Sequence, residues 1–266
     1  MDPFLSIEEL AREFDTPNLT DWKLFAQNSS LSCYRRTNQK LFYYKFFHHL
    51  PDISPDVLHN VVLDVEYRVV WDKYLKGNYY LHTAFLSTRS ILEGRKINDG
   101  DKNGIYWLLS MPLFMSNRDY TFVQEKGEYD IGDRHFYYAS THCEEFKNEL
   151  PRKKIIRIEN CQSQTIICTD GAEGSKAVIL YSEDPRGSFP KAAWSWAAKF
   201  GIPLYAKLTH NACKTYPQWI KDKKIIVPNV IEDDADSAAE ETAAAAAAAA
   251  MISPEDSVAD NDDCHN

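Results

Sequence analysis

Residues 106–120 read YWLLSMPLFMSNRDY. Trp107 and Tyr120, two large aromatics with polar tips, bracket an apolar run, a proline and the polar cluster Ser116-Asn117-Arg118-Asp119. This is the pattern of a strand, a turn and a second strand, and it suits two strands that line one cavity. Indole and phenol faces attract cations that carry no N–H, such as quaternary ammonium groups. Aromatics in strands are otherwise ordinary core. The stretch is either packed core or part of a pocket for a cationic head.

Strand-like runs lie on both sides of it. Upstream are 22–26, 31–36 and the Phe- and Tyr-rich 41–49; Tyr79–Leu86 follows a helical region. Downstream, strands are expected at 104–110, 119–125, 135–141, 154–160, 164–169 and 177–182. Glu93–Asn103, polar with two glycines, reads as a loop. Ser6-Ile7-Glu8-Glu9 is a capping box that opens a short helix to about Asp15. Ser54-Pro55-Asp56 starts a helical region that runs to about Tyr74, with a break near Asp64. From about Pro190 to Tyr216 a long amphipathic helix is expected. Trp194, Ala197, Ala198, Gly201, Tyr205, Leu208 and Ala212 fall on one stripe, with Trp196 and Phe200 on the polar side. Pro203 should kink that helix about one turn earlier. The fold class is α+β, with helices segregated from one curled antiparallel sheet and the long final helix closing its concave face.

The net charge of −9 is concentrated at one end. Eleven acidic residues and no Lys or Arg lie between Glu232 and Asn266, which leaves 28 acidic against 30 basic residues in the rest. A near-neutral body need not be repelled by a membrane surface, and it is not basic enough for a nucleic-acid binder. The acidic, Ala-rich segment 232–266 is expected to be disordered, beyond a linker at 221–231. Six scattered cysteines without a C-x-x-C pair, no signal-peptide pattern and no apolar run of membrane-spanning length point to the cytoplasm. No motif of a hydrolase, metalloprotease, phosphate-binding loop or dinucleotide fold is present, so an enzyme is not expected, nor a metal or cofactor.

Arg68 and Asp72 lie four apart in EYRVVWDKY (66–74), facing one another on a helix. They are either a surface ion pair or a buried arginine that Asp72 orients toward an anion such as phosphate. A phosphocholine head has one anion and one quaternary ammonium. Arg68 on one side and Trp107 with Tyr120 on the other would supply both devices.

Taken together, EYRVVWDKY (66–74), YWLLSMPLFMSNRDY (106–120), GSKAVILY (174–181), GSFPKAAWSWAAKFGIP (187–203) and ACKTYPQW (212–219) resemble the START lipid-transfer domains, in the subgroup that transfers phosphatidylcholine. The resemblance covers about residues 6–220. It implies a helix-grip fold, in which a curved antiparallel sheet wraps the C-terminal helix and encloses one lipid in a tunnel. It also implies that Arg68, paired with Asp72, contacts the lipid phosphate, and that Trp107 and Tyr120 are two walls of a choline cage. The third cage tyrosine falls on Cys161. That departure keeps phosphatidylcholine as the expected cargo and brings phosphatidylethanolamine into range.

Release of a two-chain lipid requires an opening, and Gly201 and Pro203 are the expected yielding points of the final helix. Trp196 and Phe200 are the expected contacts with the bilayer interface. A sterol or ceramide carrier, or a lipid sensor acting through a protein partner, are the alternative functions.

Overall fold

The computed structural model describes residues 4–38, 41–72, 93–99, 102–109, 116–187, 195 and 197–222. The expected strand 79–86, Trp194, Trp196 and the segment 223–266 lie outside the described residues.

Ten strands form one sheet: β1 (Lys23–Gln27), β2 (Leu31–Asn38), β3 (Leu41–Leu50), β4 (Glu93–Asp99), β5 (Lys102–Leu109), β6 (Arg118–Ile131), β7 (Arg134–Cys143), β8 (Ile156–Ile158), β9 (Cys161–Thr169) and β10 (Ser175–Glu183). Their spatial order is β1-β2-β3-β10-β9-β7-β6-β5-β4, with every neighbour antiparallel. β8 runs parallel to the start of β6. One expectation fails here. Glu93–Asn103 is not a loop, because β4 and the start of β5 form an edge hairpin there, with Glu93 opposite Leu108 and Asp99 opposite Lys102. An edge strand tolerates polar and charged residues that a central strand could not bury.

The sheet is covered on both faces. Ile166, Cys168, Val178 and Leu180 point outward and pack on Leu10 and Ala11 of α1 (Ile7–Arg12). The expected capping box opens α1, with Ser6 Oγ accepting from Glu9 N at 3.2 Å and the Glu9 carboxylate accepting from Ser6 N at 2.8 Å. A buried Lys45–Glu13 ion pair of 2.7 Å ties the segment after α1 to β3. Ile167 and Ala177, on the alternate face, meet α2 (Pro55–Leu63), α3 (Val65–Trp71) and the final helix α4 (Ile202–Asp222). Burial on both faces explains the short continuous apolar runs Ile166–Cys168 in β9 and Ala177–Tyr181 in β10.

Asp64 makes the break between α2 and α3. Its Oδ1 caps α3 by accepting from Tyr67 N at 2.8 Å. Tyr67 then holds α4, donating its hydroxyl to the Ala212 carbonyl at 2.8 Å and stacking near Tyr216 and Trp219. Tyr216 donates back to Asp64 Oδ2 at 3.1 Å. These contacts carry α4 through Pro217 to Asp222, past the end expected at Tyr216 and two residues into the expected linker.

A π-helical turn, Ala197–Gly201, precedes α4, one turn before Pro203. Proline has no N–H for the carbonyl four residues back, and the turn widens where a kink was expected. On the stripe, Leu208 and Ala212 are buried in the core. Tyr205 keeps its place on that face but is 41% exposed, its hydroxyl accepting from Arg68 and its ring beside Trp71.

Candidate functional site

α3 places Arg68, Trp71 and Asp72 on the flank of the sheet nearest β4 and β5. Arg68 Nε donates to Asp72 Oδ2 at 2.6 Å, and Nη1 donates to the Tyr205 hydroxyl at 2.9 Å. The guanidinium carbon lies 4.5 Å from the Trp71 ring centre, 4.9 Å from Trp107 and 5.1 Å from Tyr205. Of the two readings of this pair, the surface one is ruled out, since Asp72 is buried and aromatic rings surround Arg68. Burial by itself would lower the arginine's pKa. Asp72 and Tyr205 outweigh it, and the net direction is upward, so the group is a permanent cation.

Its hydrogen bonding is incomplete. Arg68 Nη2 has no partner among the described residues. The indole N–H groups of Trp71 and Trp107 are buried and also have none. Three donors without acceptors around one cation form an arrangement that suits an anion with several oxygens.

Trp107 and Tyr120 stand directly opposite one another on β5 and β6, and both join a cluster that includes Cys161. The structure thus brings together Arg68, Asp72, Trp107, Tyr120 and Cys161, which are scattered along the sequence. Strand register adds residues that the sequence did not single out. Cys161 is opposite Glu183 across β9 and β10. Glu183 Oε2 accepts from Tyr120 Oη at 3.1 Å and also from Tyr181 Oη. The Cys161 thiol donates to Tyr181 Oη at 3.8 Å. Its hydrogen bond with Cys143 in β7, followed by burial, pushes the Cys161 pKa up, so this sulfur is a neutral thiol. Burial, the largest effect, raises the Glu183 pKa against its two phenol donors and Arg118. Burial and then the nearby Glu183 charge raise both tyrosines.

Arg118 braces this corner. Its guanidinium donates to the carbonyls of Ser116, Pro185 and Arg186 at 2.8, 3.1 and 3.2 Å, which fixes the start of β6 against the turn after β10. Trp71, Tyr205, Tyr181 and Glu183 were not legible as site residues. Only Tyr205 carried a signal, its place on the stripe of the last helix.

At the head of α4, Phe200 is 43% exposed, and Gly201 and Pro203 are half-buried. Among the described residues no three metal-ligating side chains cluster, and no helix is long and apolar enough to cross a membrane.

A curved, mostly antiparallel sheet with a C-terminal helix and an interior polar site is the architecture of the START domain. That family's model matches residues 9–219, and the chain belongs to the family. It is a lipid-transfer domain and not an enzyme. Among its relatives, human phosphatidylcholine transfer protein is 30% identical over 215 residues, 78% of this chain and 92% of that protein. The bovine protein of the same name is 32% identical with the same coverage. Human START domain-containing protein 10 is 26% identical over 168 residues, 63% of this chain and 52% of that protein. The crystal structure of human STARD10 superposes with a TM-score of 0.62 at 20% identity, over 82% of this chain and 84% of that one, and shows the common fold.

Proposed function

We propose that this chain carries one zwitterionic glycerophospholipid between membranes, with phosphatidylcholine as the principal cargo. The observation that carries the reading is Arg68: a largely enclosed guanidinium oriented by Asp72, with Nη2 and two neighbouring indole N–H groups lacking acceptors. A phosphodiester supplies oxygens for all three. Trp107 and Tyr120 offer ring faces to the choline that follows the phosphate. Cys161 leaves that cage one ring short, a loss on the order of 1 kcal/mol of cation–π attraction, and phosphatidylethanolamine comes within range. Two relatives of similar length are named for phosphatidylcholine transfer, which supports the same cargo.

A sterol or ceramide has neither a phosphate nor an ammonium, and would leave the Arg68 donors without partners. The carrying unit is residues 6–220, peripheral and transient at membranes from the cytoplasm. Trp196 and the exposed Phe200 touch the bilayer while Gly201 and Pro203 yield to let the lipid pass. Transfer between vesicles without a protein partner separates a carrier from a sensor.

The deciding experiment is native mass spectrometry of the protein purified from cells. A co-purifying mass equal to phosphatidylcholine is expected. A sterol, or an empty protein after offering phospholipid vesicles, would overturn the reading.

A further inference from the structure

The aromatic cage is thinner than two rings. The Trp107 ring already faces one cation, the Arg68 guanidinium at 4.9 Å, and the third wall is a neutral thiol, Cys161. That leaves one face of Trp107 and the ring of Tyr120 for the choline. A few ångströms away is a group with far stronger attraction for a cation. Glu183 lies in the interior, opposite Cys161 and hydrogen-bonded to Tyr120.

The carboxylate is asymmetrically used. Tyr120 and Tyr181 both donate to Oε2, while Oε1 has no hydrogen-bond partner among the described residues. The two phenols orient the group without consuming its second oxygen. Arg118 is the nearby cation that offsets its charge, and that guanidinium spends a bond from each nitrogen on the carbonyls of Ser116, Pro185 and Arg186. The order of groups is therefore guanidinium, indole, phenol, carboxylate. That order of charge, cation at one end and carboxylate at the other, is complementary to a zwitterionic headgroup.

We infer that Glu183 is the specificity-determining residue for the cationic end of the lipid, accepting N–H donors on Oε1 and so grading cargo by how many hydrogens the headgroup nitrogen carries. A trimethylammonium offers charge but no donor. A primary ammonium offers three donors, one of which makes a charge-assisted bond to the carboxylate, roughly twice as strong as a neutral one. This rests on the reading that Arg68 holds the phosphate, and it assigns the other half of the same site.

The test uses the full chain and vesicles containing equal amounts of phosphatidylethanolamine, its N-methyl and N,N-dimethyl derivatives and phosphatidylcholine, all with identical acyl chains. Captured lipid is read by mass spectrometry. In this equal mixture, where the abundance of phosphatidylcholine in cells no longer sets what is carried, wild-type capture should rise with each N–H restored. Glu183→Gln keeps the shape and an oxygen for the phenols, and should lower the ethanolamine-to-choline ratio about tenfold, as expected for one charge-assisted hydrogen bond. The unfolding midpoint should stay near wild type, and choline capture should fall less than ethanolamine capture, because a trimethylammonium loses the Coulomb attraction alone. A ratio unchanged in Glu183→Gln, or a wild type indifferent to N-methylation, would overturn the inference while leaving phospholipid carriage intact. Capture of none of the four lipids would instead overturn the carrier reading itself. Should Glu183→Gln unfold, Glu183→Asp serves in its place: withdrawing the carboxylate by one carbon should lower the ratio in the same direction.

Discussion

Arg157 with Asp119 on the outer face of the sheet, and Arg68 with Asp72 on the inner side, are the same two residue types in buried ion pairs. On the outer face every guanidinium nitrogen is engaged: Nε and Nη2 bond to the two Asp119 oxygens at 2.9 Å each, and Nη1 to the Glu149 carbonyl at 3.0 Å. The Tyr106 hydroxyl adds a further bond to Asp119 at 3.3 Å. On the inner side one nitrogen is left over and two indole donors beside it go unmatched. A saturated pair serves the fold alone. An unsaturated one costs stability, since each buried donor without an acceptor forfeits on the order of 1 kcal/mol or more, and it persists where a ligand completes it. Satisfaction, not burial or charge, distinguishes brace from site.

The largest effect is expected at the brace. Asp119→Ala leaves Arg157 buried and uncompensated, and should cost about 3–5 kcal/mol of unfolding free energy in urea titration. A loss under about 1 kcal/mol would mean that the outer pair is not the lock its geometry describes. Arg68→Gln keeps an amide donor for the buried Asp72 and should cost less than about half as much as Asp119→Ala, while vesicle-to-vesicle phospholipid transfer drops to the rate seen without protein. If this variant instead destabilised the chain like Asp119→Ala and still carried lipid, the contrast would collapse. The smallest effect is expected at Tyr205→Phe, which removes the acceptor of Arg68 Nη1. The phosphate can take over that donor, so transfer should change by less than about fivefold, within the usual worth of one hydrogen bond; a total loss would place Tyr205 in the site as a ligand rather than a support.

Local chemistry was legible where the signal is local. Ser6 and Glu9 cap α1, Pro55 opens α2, and Asp64 divides α2 from α3, all within a few residues of where the sequence placed them. The β4 strand was missed because its described interior offers a single buried apolar side chain, Ile97, in a polar run; its strand character comes from pairing with β5. Half of the site shows the same limit. Arg68 and Asp72 are four apart on a helix and could be paired on paper. Glu183 meets Tyr120 only because β10, β9, β7 and β6 are neighbours in that order, a fact no short window contains. Trp71 lies three residues after Arg68, yet its indole looked like core until the guanidinium was seen against it.

One position in β5 has a consequence for the descent of this domain. A Cβ placed on Gly104 would lie 2.1 Å from Cζ of Phe146, whose buried ring closes over the outer side of the sheet. The two positions, 42 residues apart in the chain, are one heritable unit. A side chain at 104 requires the ring at 146 to shift or shrink, so a change at either position is felt at the other.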